Sequence, residues 1–244
     1  MIEPVRLSVD AGDLTPGGAL PGRHLEAIKN LLRRERGFAV VPSDTCYSLA
    51  AIPTGLTMSR RINRILNRRQ EPISLAFDGL WRVREWVKLN VFAVRLLENL
   101  TPGPLTVVCP LSDDVEPRIA EDVLAAPDRT LGVRIPDSRI ESQLVDACCL
   151  PVTTVAIRNP GTKQPVTDFK QAVRIVLTGL ASIENPPQIA IVEGRPTFER
   201  GHSTVVRVPG LGSRYDLLRS GIIPEHQIQK ALDLPSQWEI ADFT

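Results

Sequence analysis

The chain has 244 residues, of which 43% are apolar and 23% are charged, so we expect a sizeable buried core and no extensive disorder. The 29 Lys and Arg residues balance the 28 Asp and Glu residues, for a net charge of +1. The composition therefore excludes a protein that binds anions through a uniform positive field, and leaves open binding through a local basic patch. With no run of about 18 apolar residues and no basic-then-apolar N-terminus, the expectation is a cytoplasmic protein without a membrane span.

Helical and strand-like patterns alternate along most of the chain. Residues 24–36 carry apolar side chains at helical spacing with a basic outer face, and the apolar run 38–42 predicts a buried strand that stops at Pro42. Further helices are predicted at 56–70, 91–100, 139–149, 168–180 and 223–232. Further strands are predicted at 73–77, 105–111, 130–136, 151–157, 188–194 and 203–208, and the segment 217–224 closes the core.

The predicted strands are too apolar for one exposed face, which favours an α/β domain with a sheet covered by helices. The connection between 105–111 and 130–136 lacks a clear helix, so a mixed sheet is expected. No polar linker divides the pattern. We therefore predict an N-terminal arm at 1–23, one domain at 24–224, and a short helix with a tail at 225–244.

Neither the cysteines nor the histidines have the spacing of a metal site. Four cysteines without a CxxC pair indicate buried thiols in a reducing compartment, and they are Cys46, Cys109, Cys148 and Cys149. The three histidines are also scattered, at His24, His202 and His226. We expect no tightly bound metal.

Two segments carry the first candidate binding groups. Ser43 and Thr45 directly follow the buried strand 38–42, and open α/β sheets hold ligands beyond such strand ends, although capping hydroxyls in a turn are an alternative. The segment 60–72 holds five arginines, a side chain suited to bidentate phosphate or carboxylate contacts. A solvated helix face is the alternative for most of them, whereas Arg69 lies just past the helix and could turn into a cleft.

Three later segments repeat this combination of hydroxyls and arginine at strand ends. Residues 100–108 bring Thr101 and Thr106 to the mouth of a strand, and residues 201–208 begin a strand with a hydroxyl pair. Arg219 lies close to Gly221, where it could reach an anion. Each segment is weak evidence alone, and no phosphate-binding loop or serine nucleophile motif is present.

Taken in order, six segments resemble the motifs of the YrdC-like family, which makes threonylcarbamoyl-AMP for tRNA modification. PSDTCYSLA is similar to P-T-[DE]-T-x-Y-G-L-A, INRILNRRQEPISLAF to the K-x-R helix and its strand, and TPGPLTVV to W-P-G-P-L-T. LGVRIPD is similar to V-R-x-P, VEGRPTFERGHSTVV to the D-G-G run before P-S-T-V, and LLRSGII to I-L-R-x-G-x-I. The resemblance covers about residues 24–223. The missing Trp before Pro102-Gly103 and the segment PVTTVAIRNPGT are closer to its YciO-like branch.

This resemblance implies a twisted, open mixed sheet covered by helices, in the YrdC-like (DHBP synthase-like) α/β fold. It also implies a reaction in which L-threonine and bicarbonate form a carbamate that attacks the α-phosphorus of ATP and releases pyrophosphate. ATP is then a substrate, accompanied by Mg²⁺. The implied catalytic residues are Arg69 and Arg219. The implied binding residues are Ser43, Thr45, Tyr47, Asn67, Arg68, Thr106, Arg134, Thr154, Ser203 and Thr204.

Several positions depart from the family pattern. The Lys of K-x-R falls at Asn67, and the Ser and Asn of the S-A-N motif fall at Val155 and Ile157. Losing hydrogen bonds worth about 1–3 kcal/mol each could lower the rate by orders of magnitude. Arg68, next to the lost Lys, could partly substitute for it.

Two alternatives to an active synthase therefore stay open. A weakened paralogue could act as a nucleotide- or double-stranded-RNA-binding module, with tRNA or duplex RNA as its partner. The basic helices are compatible with that role, and an aromatic content of 5% favours phosphate contacts over base stacking. The other alternative is an adenylating or carbamoyl enzyme with a substrate other than threonine, because Val155 and Ile157 would suit a more apolar ligand.

Overall fold

The computed structural model of the protein describes residues 4–53, 58–69, 71–115, 128–198, 201–209 and 215–236. Strands in these ranges are β1 (Val5–Val9), β2 (Phe38–Pro42), β3 (Tyr47–Ala50), β4 (Leu75–Ala76), β5 (Leu105–Pro110), β6 (Thr130–Arg134), β7 (Val152–Thr153), β8 (Val155–Ala156), β9 (Ile189–Val192), β10 (Thr204–Arg207) and β11 (Asp216–Arg219). The α-helices are α1 (Gly22–Arg33), α2 (Met58–Ile65), α3 (Leu80–Val83), α4 (Val91–Leu100), α5 (Arg139–Cys148), α6 (Phe169–Ala181) and α7 (Glu225–Asp233). No helix among them is long and apolar enough to cross a membrane.

The strands form two mixed sheets, which confirms the predicted mixed α/β class. The prediction had one sheet where the structure has two. The first sheet has the order β1-β9-β2-β3-β8, with β1, β9 and β2 parallel and β3 antiparallel to β2. The second has the order β11-β10-β5-β6-β4-β7, with β5 parallel to β10 and antiparallel to β6. The antiparallel β5–β6 pair agrees with the predicted mixed sheet, while the connecting residues 116–127, for which no clear helix was predicted, lie outside the described ranges.

The predicted strand 151–157 is divided between the two sheets. Thr153 lies in β7 of the second sheet and Val155 lies in β8 of the first, so Thr154 is the point where the chain changes sheets. The Thr153 hydroxyl donates to the Leu49 carbonyl at 3.2 Å and accepts from the Ala51 N–H at 2.8 Å. These bonds connect the two sheets at the change of direction and keep the neighbouring Thr154 in a buried position.

Helix ends follow from local side-chain chemistry. Asn90 and Asp168 cap α4 and α6, because their side chains accept the Ala93 and Gln171 N–H groups at 3.0 and 2.7 Å. Helix α2 ends at Ile65, earlier than predicted, and Asn67 adopts a left-handed conformation with a φ of 47°. This early end directs the following arginines along a loop instead of a helix face.

Three further observations refine the predictions. Residues 5–9 of the expected arm form β1 and pair with β9, and β3 is a strand that the sequence pattern did not predict. Cys149 is exposed, contrary to the expectation of buried thiols, because it lies at the left-handed end of α5 with a φ of 52°. The other three cysteines are free and buried as predicted. The proposed domain limits themselves stay a prediction.

Two apolar clusters form the core beneath these elements. The larger includes Val40, Leu49, Leu75 and Val107 and therefore draws on both sheets. The smaller packs α1 and α5 against the first sheet, through residues such as Leu31. Burial of this kind contributes about 25 cal/mol per Å² of apolar surface and holds the two sheets in fixed relation.

Candidate functional site

A cavity of about 330 Å³ draws its lining from both sheets and from the loops at their strand ends. Seven of the twelve residues predicted from the sequence line it: Thr45, Arg68, Thr106, Arg134, Thr154, Ser203 and Arg219. These residues are distant in sequence, since Thr45 and Arg219 lie 174 positions apart. The fold therefore brings the hydroxyl and guanidinium groups of separate motifs to one hollow.

One lining residue, Arg134, belongs to a buried ion pair. Arg134 is 5% exposed and Asp44 is fully buried, and the Arg134 Nη2 donates to Asp44 Oδ1. Arg134 Nη1 also donates to the Thr154 hydroxyl at 3.3 Å. The turn that presents Asp44 is closed by the Ser43 N–H donating to the Cys46 carbonyl at 2.8 Å. Arg134, one of the implied binding residues, thus braces this turn and also lines the cavity.

A buried carboxylate, Glu141, stands behind this ion pair and was missed by the sequence analysis. Its Oε2 accepts from the Ser43 hydroxyl at 2.6 Å, and its Oε1 accepts from the hydroxyls of Ser48 and Thr154 at 2.8 and 2.9 Å. Burial raises the pKa of Glu141, and the nearby Arg134 opposes that rise. We call Asp44, Arg134, Glu141 and Thr154 the buried wall.

Helical spacing could have revealed Glu141. Positions 141, 145 and 148 fall on one face of α5, and Val145 and Cys148 are both fully buried. A carboxylate on an otherwise apolar inner face needs partners, and the serines of the 40–50 segment supply them. The sequence pattern that marks Glu141 was therefore present, but it becomes visible only when α5 and the 40–50 segment are considered together.

Arg219 reaches the cavity from β11 and is fixed by the start of β10. Its Nε and Nη2 donate to the Ser203 carbonyl at 3.0 and 2.9 Å, and Nη2 also donates to the Ser203 hydroxyl at 2.8 Å. Burial, with the charges of Arg158 and Arg134, lowers the pKa of Arg219 to about 10. Gly221 is required beside it, because a Cβ there would lie 2.3 Å from the His202 carbonyl oxygen.

The loop after α2 places Arg68 in the cavity and Arg69 outside its described lining. Arg68 is partly buried and pairs with Glu71 at 2.8 Å, whereas Arg69 is exposed. Arg158 approaches the same Glu71 carboxylate at 3.9 Å. Arg68, rather than the Arg69 expected from the K-x-R motif, therefore lines the cavity, in the loop that follows the end of α2 at Ile65.

Four of the arginines that line the cavity are only partly buried, and we call them the outer arginines: Arg68, Arg158, Arg207 and Arg219. Three of them keep a buried N–H without a hydrogen-bond partner in the described part of the chain, namely Arg68 Nη1, Arg158 Nε and Arg207 Nε. Arg134 Nε of the buried wall is in the same state. Unpartnered buried donors of positive charge are suited to hydrogen bonds with a phosphate or carboxylate.

Five of the predicted site residues lie outside the described lining, and three of them make structural hydrogen bonds instead. Ser43 bonds Glu141, and the Thr204 hydroxyl donates to the Ile223 carbonyl at 2.7 Å. The Tyr47 hydroxyl bonds the backbone of Gly194, with its donor contact at 2.5 Å and its acceptor contact at 3.1 Å. Asn67 and Arg69 are exposed. Ser43, Tyr47 and Thr204 therefore stabilise the backbone around the site.

The cavity also has an apolar side. Val155 and Ala156 line it, together with Ile73 and Val108, while Ile157 is fully buried. At the two positions where the S-A-N motif has Ser and Asn, Val155 therefore lines the cavity with an apolar side chain, and Ile157 is buried outside its described lining. His202, Arg158 and Arg207 also line the cavity, and the sequence analysis did not select them. His202 adjoins the predicted Ser203, whereas nothing local marks Arg158 or Arg207.

The chain is similar to known proteins over most of its length. The family model described as "Telomere recombination", named for Sua5, YciO and YrdC, matches residues 31–221. A Methanocaldococcus jannaschii protein provisionally named threonylcarbamoyl-AMP synthase is 25% identical over 126 residues, which span 51% of this chain and 56% of that protein. The Escherichia coli uncharacterized protein YciO is 27% identical over 139 residues, which span 55% of this chain and 64% of YciO.

Solved structures show the same fold. P. abyssi Sua5 complexed with L-threonine has a TM-score of 0.71 at 22% identity, covering 94% of this chain and 61% of Sua5. The crystal structure of E. coli YciO has a TM-score of 0.70 at 20% identity, covering 88% of this chain and 95% of YciO. Since the family model covers most of the chain and the predicted motifs converge on one cavity, the chain belongs to the Sua5/YciO/YrdC family, with YciO-like relatives.

Proposed function

We propose that the protein is a threonylcarbamoyl-AMP synthase-like enzyme that binds ATP and a carbamoylated amino acid in the described cavity. The observation that carries this proposal is the convergence of seven motif residues on a single cavity rich in arginine. The unpartnered guanidinium N–H groups around that cavity fit a polyanionic substrate. In this proposal the outer arginines bind the phosphates of ATP, and the apolar side of the cavity contacts the amino acid.

The outer arginines are suited to the phosphates of ATP. Arg219 is held by three hydrogen bonds to Ser203 and needs little reorganisation when an anion arrives. Arg68 and Arg158 share Glu71, whose carboxylate a phosphate group could displace from them. Three cations of this kind would compensate for the missing Lys at Asn67.

In the proposed reaction, an oxygen of the amino acid's N-carboxylate attacks the α-phosphorus of ATP. A bond forms between that oxygen and phosphorus, and the bond from phosphorus to the bridging oxygen of the β-phosphate breaks, so that pyrophosphate leaves. The protein's part is to align the two substrates and to balance the charge that develops on the phosphates.

Magnesium would enter this site with ATP. No group of three or more His, Cys, Asp or Glu side chains that could hold a metal occurs in the described residues. Arginine and hydroxyl groups make up most of the polar lining, and arginine contacts phosphate oxygens rather than the ion itself. Mg²⁺ is therefore assigned to the substrate, where it would neutralise part of the phosphate charge.

The relatives support this reaction by analogy. The M. jannaschii protein carries the synthase name, and P. abyssi Sua5 binds L-threonine in its solved complex. Full-length HypF, solved in a phosphate- and nucleotide-bound form, matches with a TM-score of 0.62 and 16% identity, covering 83% of this chain and 29% of HypF. Threonine and nucleotide are thus ligands found in structural neighbours of this protein.

The experiment is pyrophosphate release from purified protein with ATP, bicarbonate and a panel of L-amino acids. Turnover with threonine is the expected result. A preference for a more apolar amino acid would favour the alternative substrate that Val155 and Ala156 allow. Absence of turnover with every amino acid, in protein shown to be folded, would reject the synthase proposal.

RNA binding is a separate proposal that rests on other residues. Arg33, Arg34 and Arg36 follow each other at and beyond the end of α1, and all three are exposed. Arg60 and Arg61 on α2 are exposed as well. Duplex RNA affinity should fall steeply as salt is raised if these residues contact phosphates. Affinity that is independent of salt would contradict this role.

A further inference from the structure

The side chain of His202 lines the cavity, and the proposed reaction has not yet used it. His202 directly precedes Ser203, at the position where the P-S-T-V motif has Pro. Proline cannot titrate, whereas the imidazole of histidine changes its charge between about pH 5 and 8. This chain therefore carries a titratable group at a cavity position where the family motif has none.

Neighbouring strands hold the backbone at His202. Its carbonyl accepts the Ile222 N–H at 2.9 Å, and a Cβ on Gly221 would lie 2.3 Å from the same carbonyl oxygen. Two residues later along the chain, Thr204 begins β10 and pairs with Leu105 of β5. His202 is thus held at a strand end whose position the second sheet fixes.

Two arginines lie close enough to His202 to affect its charge. Arg219 donates hydrogen bonds to the carbonyl and hydroxyl of the adjacent Ser203, and Arg158 lines the same cavity. Burial, together with the charges of these two arginines, lowers the pKa of His202. Since the ordinary pKa of histidine is about 6.5, the ring is neutral at pH 7 in the free protein.

A bound polyanion would reverse the electrostatic field at this ring. The described lining holds five arginines and one carboxylate, Glu71, which is already paired with Arg68 at 2.8 Å. The imidazole of His202 makes no hydrogen bond to another described residue, so its nitrogens are available to a ligand. Phosphate charge placed among the arginines would offset their repulsion and favour the protonated ring.

We propose that His202 is a phosphate-binding residue that takes up a proton from solvent when a polyphosphate enters the cavity. This inference rests on the proposed function, because it takes ATP to be the ligand of the outer arginines. The free protein avoids a further charge among its arginines, and the complex gains a charge-assisted hydrogen bond from imidazolium to phosphate. Binding of the polyphosphate and binding of the proton then strengthen each other by the same factor.

NMR follows the charge of His202 directly, because the chain has three histidines. Titration of the imidazole ¹H–¹³C resonances from pH 5 to 9 gives the pKa of the ring, and the signal missing from His202→Gln identifies it. Saturating α,β-methylene-ATP with Mg²⁺, or inorganic pyrophosphate, should raise the pKa of His202 by at least about one pH unit. Adenosine, which carries no charge, should leave it unchanged. The resonance of His226, exposed on α7, should titrate identically with and without these ligands.

The affinity for α,β-methylene-ATP should depend on pH in the same sense. Because the complex holds the proton more tightly than the free protein, affinity should rise as pH falls. Between pH 8 and 6 the rise should be about five- to tenfold larger in the wild type than in His202→Gln, a comparison that removes the titration of the nucleotide itself. Calorimetry at pH 7 in buffers of different ionisation enthalpy should show about half a proton more taken up by the wild type. His226→Gln is the matched control and should behave as the wild type.

The outcomes separate this inference from the proposed function. An unchanged His202 titration with α,β-methylene-ATP bound would overturn the inference, as would equal proton uptake by the wild type and folded His202→Gln. If His202→Gln does not fold, the wild-type titration still decides, with the signal assigned by elimination from His24→Gln and His226→Gln. Proton uptake on pyrophosphate binding, in protein that shows no synthase turnover, would overturn the synthase proposal alone. Failure to bind either phosphate ligand would overturn both.

Discussion

Single arginines differ sharply in their surroundings in this protein, although five of them occur between residues 60 and 69. Arg68 is partly buried, lowered in pKa mainly by burial, and paired with Glu71. Arg69 is exposed one residue later. A partly desolvated guanidinium interacts more strongly with an anion than one in water, since the effective dielectric constant is lower. Position in the loop, rather than residue type, therefore determines which of these two arginines lines the cavity.

Alanine substitutions at these two neighbours test that assignment. Arg68→Ala should lower pyrophosphate release by about ten- to a hundredfold, because one charge-assisted contact to phosphate is worth about 1.5–3 kcal/mol. Arg69→Ala should have a clearly smaller effect, and Arg23→Ala, exposed on α1, should leave the rate unchanged. The reverse order of effects would show that Arg69 turns into the cavity when substrate binds.

The buried Glu141 gives a prediction for pH and stability. Its pKa in the folded protein is raised by burial, despite the opposing charge of Arg134, so the folded state binds its proton more tightly than the unfolded state. The stability that this provides is complete below the unfolded pKa of about 4.3 and is lost as pH rises through the folded pKa. Glutamine at this position cannot titrate, so the Glu141→Gln variant does not lose this stability as pH rises.

Urea unfolding of the wild type and Glu141→Gln at a series of pH values measures this difference. The free energy of unfolding of the wild type, relative to the variant, should decline as pH rises above about 4.3. Asp44, Arg134 and Cys46 face the same site and are present in both proteins, so their effects largely cancel. A difference that is independent of pH would mean that Glu141 titrates at its ordinary value.

Among the elements, the contact between α2 and α6 positions the loop that carries Arg68. Gly179 in α6 lies against the last residue of α2, and a Cβ there would be 1.9 Å from the Ile65 carbonyl oxygen. Backbone on both sides leaves no flexible side chain to move away. The close approach of these helices therefore depends on glycine, although glycine is a poor helix former.

Gly179→Ala should destabilise the protein by about 1–3 kcal/mol, the usual cost of overpacking, which here exceeds the gain of about 1 kcal/mol in helix propensity. Thr178→Ala, exposed on the same helix, is the matched control and should be neutral or slightly stabilising. Denaturant unfolding of both variants provides the comparison. If Gly179→Ala is as stable as the wild type, α2 is able to shift and does not fix the position of Arg68.

In the whole molecule, the cavity is the place where the two sheets contribute to one site. Val155 and Ala156 come from the first sheet, whereas Thr106, Arg134 and Arg219 come from the second. A ligand that contacts both sides binds only the folded arrangement. Binding of this kind raises stability by mass action, by about 2.7 kcal/mol at a ligand concentration of 100 Kd.

ATP should therefore raise the Tm of the wild-type protein in thermal unfolding. The increase should shrink as salt is added, because exposed parts of the arginine cluster are screened. Arg219→Ala should remove most of the shift, since this side chain is preorganised by Ser203. The same shift in wild type and Arg219→Ala would indicate that ATP binds elsewhere on the protein.

The sequence by itself was sufficient for the α/β class, for most elements, and for the segments that form the site. Helix α4 was predicted at its observed bounds, because local periodicity and the Asn90 cap act within a few residues. The hydroxyls Thr106 and Ser203 were selected because strand ends carry short, recognisable patterns. These features depend on interactions between near neighbours, which a single sequence displays.

Only the tertiary structure decided which side chains share the cavity. The choice of Arg68 over Arg69 depends on where α2 ends against α6, and the burial of Glu141 depends on serines about 100 positions away in sequence. The division of 151–157 between two sheets likewise follows from pairing with distant strands. Contacts of this kind come from the packing of remote segments, and the pattern within any one segment does not specify them.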